Sequence, residues 1–209
     1  MIGSRGVRLV HGDVELRRLL DMESLDWARF HRYFRDREIA GLNGASPIFL
    51  PLWLFKRVVI GEEKGGERLG FAIYFKTQFV GSVEFYDLEP RRSAVLGVLI
   101  GEKSLWGQGH GSVALKMALE YIFNTEHFER VTLQTLEDNL RARRSFEKVG
   151  FRFTGLGDAG RHRFAHYQIN RAQWLALNNA SNQVNRRLET DFQPVTQGRN
   201  RWLGGRREN

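Results

Sequence analysis

Three glycines at alternate positions, in Trp106-Gly107-Gln108-Gly109-His110-Gly111-Ser112, are the residues of this chain best placed to do chemistry. They follow the apolar run Leu96-Gly97-Val98-Leu99-Ile100 and precede a helical run over 113–123. A strand that hands over to a helix through such a loop presents bare backbone N–H groups and a helix N-terminus to a phosphate-bearing ligand. The spacing lacks the GxGxxG of a dinucleotide fold, and no Gly-Lys-Ser/Thr triplet closes it as a P-loop would. Taken alone, the stretch also reads as a glycine-rich turn with no ligand.

A second segment bears on that choice. Residues 131–136 read as a strand and 139–149 as a short helix, with Ala142, Phe146 and Val149 at helical spacing. Gly150 falls where a left-handed C-terminal cap belongs, and Phe151 and Phe153 open a further strand.

The loop at 107–112, together with Asn139-x-x-Ala142-x-x-x-Phe146-Glu147-Lys148-x-Gly150-Phe151, resembles the core of the GNAT N-acetyltransferases. The Trp106 to Gly111 segment and the earlier Arg35-Asp36-Arg37-Glu38-Ile39 resemble the RimJ/RimL-like branch, which acetylates protein N-termini and small amines. The resemblance spans roughly residues 7–175. It implies a mixed α/β (α+β) fold, with a mostly antiparallel central sheet flanked by helices and a βαβ cofactor-binding unit.

It also implies acetyl-CoA as co-substrate. Backbone groups of Val98, Leu99 and Ile100 would pair with the pantetheine arm as an extra strand does. The N–H groups of Gln108, Gly109, His110, Gly111 and Ser112 would take the diphosphate, His110 acting through its backbone and not its imidazole. Asn139 and Phe146 would line the thioester end, and Arg143, Arg144 or Lys148 would meet the adenosine phosphates. For these three cations an exposed helix face is the competing reading.

The proton-handling groups depart from the resemblance. Many relatives place a tyrosine where Phe146 stands and protonate the departing thiolate with its hydroxyl. RimJ/RimL-like chains often carry a glutamate at the position of Val95. The carboxylate left inside an apolar strand is Glu84, in Val83-Glu84-Phe85-Tyr86, where polyamine-acetylating relatives also carry one. It is either a general base or amine anchor, or a side chain turned to solvent from an alternating strand.

A site without a strong base favours an amine that is already neutral. At pH 7 an α-amine of pKa ~7.8 is neutral in about one molecule in seven, and a lysine-like amine in about one in 2,500, a difference of ~3.5 kcal/mol. A protein or peptide α-amine is therefore the expected acceptor. By resemblance, the final hairpin around Arg161 and Arg163 lies near the acceptor groove, where these cations would suit an acidic peptide. Two other functions stay open: acetylation of a small-molecule amine, and a catalytically inactive acyl-CoA-binding module.

The elements that must position these groups follow from pattern. Residues 7–10 and 15–19 read as a hairpin turning at His11-Gly12-Asp13, and Ser24 as the N-cap of a helix through Phe34. A loop at 42–47 and a helix over 52–60 ending near Gly61 come next. Strands at 70–75, 79–88 and 94–101 precede the glycine loop, and strand 94–101, helix 112–123 and strand 130–136 make one right-handed βαβ unit. Trp174 reads as a packing aromatic after the last strand.

Composition bounds the rest. With 209 residues and no cysteine, one domain stabilised without crosslinks is expected, and thiolate chemistry is excluded. His127, His162 and His166 lack zinc-site spacing, so no metal is expected. Neither a signal peptide nor a membrane span is legible, which points to a cytoplasmic protein. The net charge is +8. Part of it lies in 178–209, a polar segment carrying Arg186, Arg187, Arg199, Arg201, Arg206 and Arg207 against Glu189, Asp191 and Glu208. The expected division is a catalytic domain over 1–177 and a basic tail over 178–209. Arg199-x-Arg201-Trp202 in that tail leaves nucleic-acid binding as a secondary expectation beside a solvated terminus.

Overall fold

Alternation along the strands sorts side chains to two cores. In the computed structural model, which describes residues 6–179, Phe71 and Ile73 of β3 (Leu69–Phe75) join one core while Ala72 and Tyr74 join the other. Eight strands make one sheet in the order β1-β2-β3-β4-β5-β6-β8-β7. The others are β1 (Arg8–His11), β2 (Val14–Arg18), β4 (Gln78–Glu89), β5 (Ser93–Ile100), β6 (Arg130–Leu136), β7 (Arg152–Ala159) and β8 (His162–Asn170). Among these pairings only β5 with β6 is parallel, so the mixed, mostly antiparallel sheet matches expectation.

Helix α4 (His110–Asn124) crosses between β5 and β6, and it shares one core with α5 (Leu140–Val149). Leu115, Ala118, Leu119 and Ile122 of α4 are fully buried there against Val83, Phe85 and Val131. On the opposite face α1 (Ser24–Arg35) and α3 (Leu52–Gly65) pack Trp27, Phe30, Phe55 and Val59 over Tyr74, Phe79 and Leu99. Phe30 meets Phe34, Phe55 and Phe79 edge-on at centroid distances of 5.2–5.7 Å, an arrangement that suits ring quadrupoles. Trp174 is buried beside Phe123 at 6.3 Å, as a packing aromatic.

Local chemistry moved several boundaries. Glu23 is the cap residue of α1 and Ser24 its first helical residue, with no side-chain cap bond. Residues 37–42, which gave no sequence signal, form α2 (Arg37–Leu42), because Asp36 Oδ1 accepts from the N–H groups of Glu38 and Ile39 at 2.9 and 3.1 Å. Helix α3 runs through Gly61 and stops at Gly66, whose φ of 78° supplies the left-handed cap. Gly150, at φ 111°, caps α5 where expected. A helix at 171–179 follows β8. The expected tail over 178–209 opens inside that helix, and from residue 180 onward, Arg199, Arg201 and Trp202 included, it lies outside the described residues.

Glu15 of β2 is buried between Arg17, at 2.5 Å, and Arg8. The Arg17 guanidinium above all, then Arg8, holds its carboxyl down at about 2 against burial that opposes them. Because the folded pKa is depressed, this contribution to stability is present above the unfolded value, 4.5, and is lost as pH falls toward about 2. In thermal melts across that window the Tm gap between wild type and Glu15→Gln is expected to close. A gap that stays constant would show that ionised Glu15 contributes nothing.

Candidate active site

The site begins where two parallel strands part. Ser93, Ala94 and Val95 of β5 pair with Arg130, Val131 and Thr132 of β6, and the pairing ends there. Beyond it β5 stays with β4 as far as Ile100, while β6 stays with β8 as far as Leu136. Residues 96–100 thus present an edge with no strand beside it, whose backbone groups turned away from β4, the Ile100 carbonyl excepted because Trp106 Nε1 donates to it, are open to an extended ligand. A cavity of about 490 Å³ occupies the cleft, walled by Leu96, Gly97, Val98, Leu99 and Ile100 on one side and by Gln134 and Thr135 on the other.

The glycine loop closes one end. Gly107 and Gly109 adopt φ of 77° and 89°, the left-handed region glycine enters freely. Gly109 is the cap residue of α4, makes no side-chain cap bond, and is followed by a first turn with no acidic residue. The helix N-terminus therefore keeps its free N–H groups and positive end facing the loop. A Cβ at Gly109 would meet nothing within 4 Å, so the loop borders open space.

Helix α5 forms the facing wall. Arg141, Arg144, Ser145 and Lys148 recur at helical spacing and all line the cavity. Arg143 does not. It donates to the Tyr167 hydroxyl at 2.9 Å and the Glu137 carbonyl at 3.0 Å on the β8 side. The expectation for Arg143 is corrected by helix phase, and Arg141, which the sequence did not single out, stands in the wall instead. Its guanidinium lies 3.9 Å over the Trp106 ring, whose Nε1 donates to the Ile100 carbonyl at 2.7 Å. Trp106 and Arg141 together span the cleft from loop to α5.

Of the residues expected to hold a cofactor, Val98, Leu99, Ile100, Gly109, His110, Gly111, Ser112, Asn139, Phe146 and Lys148 all border this one cavity. Gln108 does not border it, and its side-chain amide donates to the Ser104 carbonyl at 2.6 Å. The Ser112 hydroxyl meets that of Ser145 at 2.7 Å. Asn139 borders the cavity with its amide engaged elsewhere, Oδ1 accepting from Ala142 N and Nδ2 donating to the Leu42 carbonyl. Phe146 is buried against Phe151 and Tyr167. The His110 ring lies tilted against Phe75 at a centroid distance of 4.1 Å, and its buried Nε2 has no partner among the described residues.

Glu84 is neither at the cavity wall nor turned to solvent. It is 2 % exposed, ion-paired with Arg68, and accepts from the Ser82 hydroxyl at 2.6 Å. The alternation of β4 did set its face. What lies on that face is Arg68, which also pairs with Glu62 of α3. At the final hairpin Arg161 and Arg163 are both exposed, and Arg163 approaches Glu137 and Asp158 at 3.6 and 3.9 Å. Charged residues of the cavity wall are all cationic, and no carboxylate lines it among the described residues.

A sequence profile of the GNAT acetyltransferase domain matches residues 14–152, and the chain belongs to that family of acetyltransferases. Solved structures agree in fold. The spermidine N-acetyltransferase of Vibrio cholerae, in complex with CoA and spermine, superposes with a TM-score of 0.69 at 19% identity, covering 79% of this chain and 99% of that one. RimL, a ribosomal L7/L12 α-N-protein acetyltransferase in complex with CoA, gives 0.67 at 17% identity, covering 78% and 96%. An uncharacterized protein of Methanocaldococcus jannaschii is 33% identical over 78 residues, which are 37% of this chain and 16% of that protein. Among the described residues no helix is long and apolar enough to cross a membrane.

Proposed function

We propose that this GNAT acetyltransferase binds acetyl-CoA in the β5–β6 cleft and transfers its acetyl group to a protein or peptide α-amine, as members of the RimJ/RimL-like branch do. The observation that carries the first half is the unpaired edge of β5 leading into an uncapped, acid-free helix N-terminus. An amide-bearing arm satisfies the edge, and a diphosphate satisfies the loop. Val98, Leu99 and Ile100 hold the arm in this reading. The N–H groups of Gly109, His110, Gly111 and Ser112 take the phosphates, and Arg141, Arg144 and Lys148 neutralise them across the cleft. Acetyl-CoA supplies an activated thioester, which the amine attacks within a ternary complex with no covalent enzyme intermediate.

Acceptor choice rests on charge. The three cations of the wall go to the phosphates in this reading, and with no carboxylate lining the cleft among the described residues it offers no base to an amine that must first lose a proton. An α-amine is the low-pKa choice, and the exposed Arg161 favours acidic residues behind it. The test is thiol release from acetyl-CoA against an acidic peptide with a free α-amine, the same peptide α-acetylated but carrying a lysine, spermidine and glycinamide. Turnover with the first alone is expected. Preference for glycinamide transfers the reading to small-molecule amines, preference for spermidine overturns the charge argument, and CoA binding without turnover leaves an acyl-CoA-binding module.

A further inference from the structure

Three cations of α5 line the cleft, and one of them is held in place before any ligand arrives. We propose that Trp106 is a positioning residue, a platform that fixes the Arg141 guanidinium to grip the diphosphate of acetyl-CoA. This inference rests on the acetyl-CoA reading above.

Trp106 is fixed in two ways. Its Nε1 donates to the Ile100 carbonyl at 2.7 Å, which ties the ring to the last residue of β5. The ring also packs against the core that α1 and α3 share with the sheet, while it lines the cavity. Lys103 stands 6.0 Å from the ring centre, but its ammonium is already held by Asp36 at 2.9 Å and Glu38 at 2.6 Å. Trp106 immediately precedes Gly107, where the loop assigned to the diphosphate begins. Because the same indole occupies the last carbonyl of the open edge, an arm paired along β5 must leave the strand there, beside the ring.

Arg141 stands in the first turn of α5, with its guanidinium carbon 3.9 Å from the Trp106 ring centre. Among the described residues no hydrogen bond or ion pair engages it. A guanidinium seated on an aromatic ring uses its π face there and keeps its in-plane N–H donors for an anion. Arg144 and Lys148 line the same wall without a ring under them among the described residues, so they supply charge but no fixed direction. A long cationic side chain loses rotamer freedom when a ligand fixes it, and on the indole that loss precedes the ligand.

The planar fork of a guanidinium matches two phosphate oxygens at once, whereas an ammonium meets them as a point charge. A diphosphate lying on the N–H groups of Gly109 to Ser112 turns its other oxygens to the facing wall, where Arg141 waits. The pair therefore reads the nucleotide half of the donor and not its acetyl end. It separates acetyl-CoA from a thioester that carries a pantetheine arm alone. Arg141 binds the donor in this scheme, Trp106 acts through Arg141, and neither takes part in the acetyl transfer itself.

Thiol release should be measured on the full chain with the acidic α-amine peptide and three donors: acetyl-CoA, its dephospho form lacking the 3′-phosphate, and S-acetylpantetheine. Arg141→Ala is expected to raise KM for the first two by roughly 10- to 100-fold, the range of a charge-assisted hydrogen bond, and to leave kcat unchanged. Trp106→Leu keeps the cation but removes its platform, and should raise the same two values by roughly 5- to 10-fold. The double variant should be no worse than Arg141→Ala, and S-acetylpantetheine should give every protein the same kcat/KM. Equal losses with all three donors would reduce the ring to a structural role and overturn the proposal, as would multiplying losses in the double variant. A loss confined to acetyl-CoA would move Arg141 to the 3′-phosphate and overturn the diphosphate assignment. Calorimetric Kd values for CoA should follow the same order, so the test stands without turnover. Wild type that binds no CoA removes the cleft reading itself, whereas wild type that binds CoA no tighter than its Arg141→Ala variant removes this proposal alone.

Discussion

Gly109→Glu is expected to abolish the rise in Tm that acetyl-CoA gives the wild-type protein. A ligand present at about 100 times its Kd stabilises the folded state by about 2.7 kcal/mol, and in a domain of this size that is roughly 5–10 °C. Gly109 borders open space beside the uncapped start of α4, so a glutamate there has room to extend. Its charge then opposes the diphosphate and competes for the same N–H groups. The φ of 89° adds backbone strain for any side chain, which lowers the starting Tm without touching the ligand. Gly109→Asn separates the two effects, because asparagine tolerates the left-handed region and carries no charge. It should start lower yet keep most of the ligand-induced shift. An undiminished shift in Gly109→Glu would remove the loop from the binding site.

Glu84→Ala is expected to destabilise the fold by about 3 kcal/mol, as removal of one partner from a buried ion pair does. Arg68 would lose its buried acceptor while keeping Glu62, its Nε has no partner among the described residues, and the Ser82 hydroxyl would lose its bond. In thermal melts that corresponds to a fall of roughly 6–12 °C. Replacing both charges, Glu84→Leu with Arg68→Met, should cost less than the single alanine, because no buried charge is then left alone. Urea denaturation of the three proteins checks the order. A single variant within about 0.5 kcal/mol of wild type would show that the pair contributes no net stability.

Local rules carried the anatomy of this chain a long way. Apolar periods of 2 and 3.6 are written into neighbouring residues, so strands β2 to β6 and helices α1, α3, α4 and α5 were legible with boundaries a few residues off. Gly107, Gly109 and Gly150 take left-handed backbone, which glycine enters without steric cost, whereas Gly111 in the same loop does not. The two motifs mark the cleft's loop and its facing helix.

What tertiary structure alone decided was which side chains meet. The cleft exists because β5 follows β4 and β6 follows β8 after a short shared stretch, and no residue within β5 or β6 encodes that parting. Helix phase relative to the sheet turned Arg141 inward and Arg143 toward Tyr167, although both look alike in a basic run. Strand alternation gave Glu84 its face, but its burial and its Arg68 partner depend on contacts across strands and from a segment 16 residues away. Propensity acts over one or two turns of chain, whereas the chemistry of a carboxylate or a guanidinium is set by charges and solvent within a few ångströms, and folding chooses those neighbours.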